Sequence, residues 1–388
     1  MQLLNRRTLL VGAGAAGAAA AFSGRAVAES GVFADKIVFG EAAVFEGPAS
    51  ALGAGMRDGL TAAFTAANAK GGVKNRKIEL LARDDGYEPT NSIEATKALI
   101  EAGVFALVGP VGTPTSMAAH PIAKEAGIPF IGPFTGVESL RNPYQAHIVN
   151  IRASYFQETE MMVEHLIKDR GFTRIAIFYQ DDAFGRAGLE GTQRALQKRD
   201  MKLAAEGTFE RNTVAVKSGL LEIRKGNPQA VIMIGPYKPC AEFIKISRSV
   251  KLDPVFVNIS FVGSDALAKE LGAAGAGVVV TQVVPFPFDT SQPLVAAYQA
   301  ALKAAVPDAS PGFVSLEGYL VGRCVIAALE KIDGQPTRKA LLEKLTVGSY
   351  DLDGFSLTFG PNKNQGSDAV YLTVIDADGK LKAVTTLS

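Results

Sequence analysis

Two loops carry the residues best suited to hold a solute. The first runs Gly109-Pro110-Val111-Gly112-Thr113-Pro114-Thr115-Ser116, and the second Pro133-Phe134-Thr135-Gly136. Each follows a short apolar run, Phe105 to Val108 and Pro129 to Ile131, that reads as a strand buried on both faces. A helix is expected between them over about 116–125, with Thr113, Thr115 and Ser116 as candidate caps. A βαβ unit of this kind sets both loops at the carboxyl ends of parallel strands. There the free N–H groups of a helix N-terminus, joined by hydroxyls, suit a carboxylate or other small acceptor. No strong base, nucleophile or metal ligand lies in either loop. The expected chemistry is retention, not reaction.

The rest of the chain agrees. His120, His147 and His165 show no metal-binding spacing, and neither G-x-S-x-G nor G-x-x-x-x-G-K-[ST] occurs. Asp84 and Asp85 read as turn formers. No metal, no cofactor and no enzymatic activity are expected. The fingerprint G-x-G-x-x-G does occur, at Gly12 to Gly17, but it lies between Arg6-Arg7 and Ala26-Val27-Ala28 without a preceding strand. A basic start, a short Gly/Ala-rich run and an A-x-A site make residues 1–28 an export signal, cleaved after Ala28. The paired arginines leave the twin-arginine and general secretory routes both open. Cleavage removes three arginines and no acids, taking the net charge from +1 to −2. That balance leaves no basic stripe for nucleic acid. Two cysteines, Cys240 and Cys324, in apolar surroundings read as buried free thiols.

These loops need a scaffold, and strand–helix alternation supplies it. Strands are expected at 36–40, 77–82, 105–108, 129–131 and 146–150, with helices at 53–69 and 92–101. A second series with the same grammar follows, its strands at 174–178, 202–208, 230–234, 255–258 and 277–281. Two helices, 294–304 and 313–331, and a shorter one near 338–344 come next. Runs 355–359 and 370–375 read as a terminal hairpin or strand pair. The fold class is therefore α/β, two Rossmann-like lobes with parallel sheets flanked by helices.

Gly47-Pro48-Ala49-Ser50-Ala51-Leu52-Gly53, Gly71-Gly72 and Asp84-Asp85 appear in that order. Val108-Gly109, Pro121-Ile122-Ala123 with Gly127-Ile128-Pro129, Tyr179 to Gly185, and Val262-Gly263 follow. By the order and spacing of these pieces, Ile37 to Ile375 resembles the Leu/Ile/Val-type periplasmic binding proteins of ABC transporters. The resemblance implies two lobes joined by three hinge crossings near Asn150, Val284 and Phe355. The lobes would comprise 29–150 with 285–353, and 151–284 with 354–388. It implies a soluble, monomeric, periplasmic protein that closes on a small-molecule ligand and hands it to permease membrane subunits. A ligand-sensing module is the alternative, and an exported enzyme the third.

In that family the first lobe's loops hold the ligand's carboxylate. Carried over by position, the contacts are Ser50, Gly112, Thr113, Thr115, Phe134, Thr135 and Gly136. Phe184 and Tyr237 match the second lobe's tyrosines, and Tyr155 and Phe261 join Phe45 and Tyr87 as aromatic residues within reach of the cleft. The acid that clamps an α-ammonium aligns with Ser260. Burying an unpaired ammonium costs several kcal/mol, so either Asp182 replaces that acid or the ligand is an amine-free organic or aromatic acid or amide.

Overall fold

In the computed structural model, which describes residues 29–387, the alternating patterns form two sheets, each flanked by helices. The expected export segment, 1–28, lies outside the described residues. The first part of the chain runs β1 (Lys36–Ala43), α1 (Ser50–Ala69), β2 (Lys77–Asp84), α2 (Pro89–Glu101), β3 (Ala106–Val108), α3 (Thr113–Glu125), β4 (Phe130–Ile131) and β5 (Ile148–Val149). Its five strands pair in the order β2-β1-β3-β4-β5, all parallel. The second series runs α4 (Tyr155–Lys168), β6 (Ile175–Gln180), α5 (Ala183–Gln197), β7 (Glu206–Phe209), α6 (Lys217–Lys225), β8 (Ala230–Ile234), α7 (Tyr237–Ser249), β9 (Val255–Asn258), α8 (Ser264–Leu271) and β10 (Val279–Gln282). The chain ends through α9 (Pro293–Ala305), α10 (Phe313–Glu330), α11 (Arg338–Thr346), β11 (Gly348–Leu352), β12 (Phe355–Phe359), β13 (Tyr371–Ile375) and β14 (Leu381–Val384).

The second sheet has the order β14-β13-β10-β9-β8-β6-β7. Strands β10 to β7 are parallel, and β13 and β14 add to one edge in antiparallel sense. Every residue of β6 and β8 is buried, as expected of central strands covered on both faces. Helix α10 returns to the first lobe and lies against α1. Its approach is close enough that a Cβ on Gly59 would stand 2.0 Å from the Ser315 carbonyl oxygen.

Three expectations are corrected. Helix α3 starts at Thr113 and not near 116, because Gly112 at φ +104° turns the chain directly into it. Strand β12 pairs with β11 and not with 370–375. Asp353 and Gly354, both at positive φ, form the two-residue turn that closes this hairpin, and the expected lobe division at 353/354 falls inside it. The third crossing accordingly lies further on. The Asn150 N–H donates to Asn364 O at 2.7 Å and the Gly366 N–H to Asn150 O at 2.8 Å, so this crossing runs beside the first.

Candidate functional site

The two hydroxyl loops are zipped together. The Phe134 N–H donates to Pro110 O at 2.8 Å and the Gly112 N–H to Phe134 O at 3.2 Å. Neither threonine caps its helix. Thr113 Oγ1 lies 2.6 Å from Thr135 Oγ1, and the Thr115 hydroxyl turns back to the Val111 carbonyl. Gly136 accepts from the Tyr155 N–H at 2.7 Å, which brings the phenol to the loops. Burial raises the pKa of that phenol, with Arg152, Thr135 and Thr113 pulling it back. Its hydroxyl has no hydrogen-bond partner among the described residues.

Behind these hydroxyls sits a charge cluster the sequence did not reveal. Arg152, just past the first crossing, is 1 % exposed and lies under the Phe134 ring, 4.9 Å from its centroid. Its Nη2 donates to Glu158 Oε1 at 3.2 Å and to the Ser260 hydroxyl, while Nη1 lies 3.5 Å from Glu317 Oε1. Glu158 also accepts from the Ser260 N–H at 2.9 Å, its hydroxyl at 2.9 Å and the Thr281 hydroxyl at 2.6 Å. Arg152 Nε and Nη1 and Glu317 Oε1 complete no hydrogen bond among the described residues. Burial opposes the charge on Arg152, but Glu317 and Glu158 together hold its pKa above the usual value. Burial pushes Glu317 up to about 7 despite Arg152. Arg141 braces the second loop, donating to Gln365 Oε1 at 2.6 Å, Val137 O at 2.8 Å and Thr135 O at 3.3 Å.

Aromatic rings from both lobes interlock over this floor. Phe261, from the turn after β9, lies 5.2 Å from Phe134, 6.1 Å from Tyr87 and 4.5 Å from Phe184, centroid to centroid. Tyr155 and Phe184 are 5.4 Å apart, and Gln180 Nε2 donates to Tyr87 Oη at 3.3 Å. Further out, the Ala51 N–H beside Ser50 donates to Tyr237 Oη at 3.4 Å. At the rim Arg211 and Asn212 bond Glu88 at 2.8 and 2.6 Å, and Asp265 accepts from the Phe313 N–H at 3.0 Å. These contacts join the loops of one lobe to those of the other.

The expected residues thus divide. Gly112, Thr113, Phe134, Thr135, Gly136, Tyr155, Phe184, Ser260 and Phe261 converge, with Tyr237 and Ser50 at the edge. Asp182 does not serve as a free acceptor: it caps α5 through the Phe184 and Gly185 N–H groups, and its other oxygen takes Gln180 at 2.6 Å. Phe45 stacks under Arg57, away from the ring cluster. His120 and His147 face each other at 3.4 Å, and His165 pairs with Asp169. No group of three or more potential metal ligands occurs among the described residues. The missed residues are Arg152, Glu158, Glu317 and Gln180. Only Glu317 had a readable signal, a carboxylate inside the otherwise apolar run Phe313–Gly322.

Comparisons with known proteins bear on the family and the fold. The chain is 25% identical over 376 residues to the Leu/Ile/Val-binding protein homolog 7 of Brucella suis biovar 1 (strain 1330), covering 88% of this chain and 89% of that one. A crystal structure called a possible leucine/isoleucine/valine-binding protein from Rhodopirellula baltica SH 1 superposes with a TM-score of 0.87 at 38% identity, covering 93% and 98% of the two chains. A fatty acid ABC transporter substrate-binding protein from Thermomonospora curvata shares the fold, with a TM-score of 0.81 at 20% identity over 92% and 93%. The family model for periplasmic binding proteins matches residues 36–380. With two parallel-sheet lobes meeting over a cluster of hydroxyls, charges and rings, the chain belongs to the periplasmic binding protein family.

Proposed function

We propose that this chain is the solute-binding component of an ABC importer and that its ligand is a small carboxylic acid with an apolar or aromatic body and no α-ammonium. One observation carries the reading: the Arg152 guanidinium donates to the Ser260 hydroxyl, the position that aligns with the family's ammonium-clamping acid. A protein cation already stands where a ligand cation would go. A second cation there would be buried beside the first, in surroundings where like charges repel strongly. A carboxylate has the opposite prospects once Glu317, the second acid on Arg152, is neutral. Arg152 supplies the charge, and Thr113, Thr135 and Tyr155 supply hydroxyl donors. Phe134, Phe184, Phe261 and Tyr87 offer ring faces for a flat or branched body. The proposed working form is an exported monomer in the periplasm that delivers its ligand to permease membrane subunits.

The relatives named for leucine, isoleucine and valine make amino acids the competing class. The test is a thermal-shift comparison on the protein from Glu29, pairing leucine with 4-methylpentanoate, its amine-free counterpart, and adding benzoate. A ligand at about a hundred times its dissociation constant adds about 2.7 kcal/mol of stability. Stabilisation by 4-methylpentanoate or benzoate is expected. Stabilisation by leucine alone would sink the proposal.

A further inference from the structure

The hinge brings two carboxylates to one guanidinium. Glu158 is saturated by Arg152, both Ser260 donors and Thr281. Glu317 enters from α10 in the other lobe and reaches the same guanidinium at 3.5 Å, its Oε1 completing no hydrogen bond among the described residues. Its helix is held in place. A Cβ on the next residue, Gly318, would stand 2.3 Å from the Met56 carbonyl oxygen, so α1 fixes the helix behind it. A ligand carboxylate arriving at Thr113, Thr135 and Tyr155 therefore competes with Glu317 for Arg152. With Glu158 and Glu317 already against Arg152, a ligand carboxylate makes three acids beside one buried cation, and they cannot all be ionised without a large penalty.

We infer that Glu317 takes up a proton as the ligand carboxylate binds, so that this protein captures one carboxylate together with one proton. The inference rests on the carboxylate reading above. Glu317 is faced by Arg152 from the first crossing, Glu158 from α4 and Arg141 from the turn before β5, while Met56 of α1 lies against the adjoining Gly318. Burial already lifts its carboxyl to about 7, with Glu158 adding to the rise, and the ligand's carboxylate lifts it further. Once neutral, its O–H becomes a donor that the bound carboxylate can use.

Titration calorimetry with benzoate and 4-methylpentanoate, each in phosphate and in Tris, reads the protons taken up per ligand bound. Near pH 8 the expected number approaches one; near pH 5.5, where Glu317 is already neutral, it falls towards zero. Affinity should be flat below about pH 6 and weaken roughly tenfold between pH 7.5 and 8.5, as uptake of one proton requires. Glu317→Gln should bind with an affinity that does not change over that range and with buffer-independent heats. Wild-type binding with buffer-independent heat at pH 8 would overturn the inference, as would a pH slope that survives in Glu317→Gln. Failure of both acids to bind either protein would overturn the carboxylate reading itself and the inference with it.

Discussion

Replacing Arg152 by methionine tests whether the hinge is held by charge. The substitution keeps most of the apolar stem under Phe134 but removes a cation that is 1 % exposed and touches two acids. Removing one partner of a buried ion pair costs about 3–5 kcal/mol, because the other is left uncompensated. Two features place this case near the lower end at pH 6. Glu158 keeps three donors from Ser260 and Thr281, and Glu317, already pushed to about 7, can take a proton. The cost should grow with pH. Wild-type Glu317 releases its proton near 7, whereas in the variant the carboxyl must stay neutral in the folded state while the unfolded chain ionises. Each further pH unit then adds about 1.4 kcal/mol, so a loss of about 3 kcal/mol at pH 6 becomes more than 4 at pH 8. Urea denaturation at both pH values measures it. Lys225→Met, which removes an exposed pair with Glu222, is the control, expected to cost no more than about 0.5 kcal/mol. An Arg152→Met loss that matches the control, or one that does not change with pH, would refute the reasoning.

Three further outcomes are expected. Thr113→Val combined with Thr135→Val removes both ends of the 2.6 Å hydroxyl contact but leaves the buried Val137 N–H without its acceptor, so stability should fall by about 1–3 kcal/mol; the fall in carboxylate affinity, at about 1.5–3 kcal/mol per charged hydrogen bond, should exceed tenfold by calorimetry, and an unchanged affinity would remove the loops from the site. Asp182→Ala should cost about 1 kcal/mol in urea through loss of the α5 cap and leave affinity in place; a loss of affinity as large as that of the threonine pair would restore Asp182 as a ligand contact. Asp265, lifted to about 6 by burial with the Phe313 N–H pulling it back, favours its neutral form in the folded state, so its contribution is full below the usual carboxylate range and is lost as pH rises through about 6. Asp265→Asn should match wild type near pH 4 and exceed it by about 3 kcal/mol at pH 7; equal melting temperatures at pH 7 would contradict this.

The sequence was most legible where local rules act alone. Continuous apolar runs such as Ala230–Ile234 announced buried parallel strands, and the glycine and hydroxyl loops after strands lie together as expected. The Asp353-Gly354 turn was also a readable hairpin signal, yet the resemblance drew the crossing to Phe355 and hid it. Arg152 was not legible. One arginine after a short strand looks like any surface residue, and what makes it central is a convergence of Glu158, Ser260 and Glu317 from positions up to 165 residues away. Asp182 is the opposite case: the local capping rule that competes with its ligand role is visible in the structure, where it caps α5.

The ring of Phe261 also sets a time scale. Thr113, Thr135, Tyr155 and Arg152 are all buried, and the rings of Phe134, Tyr87 and Phe184 pack against Phe261. Under the proposed reading, a solute reaches those hydroxyls only when the rings part, and capture is gated: its observed rate should climb with solute concentration only until it meets the rate at which the lobes separate, and then level off. The apparent dissociation constant is the intrinsic one divided by the fraction of molecules standing open. Under the same reading, Arg211 and Asn212 on Glu88, which join the lobes away from the hydroxyls, would set how much solute is held and how quickly it is let go.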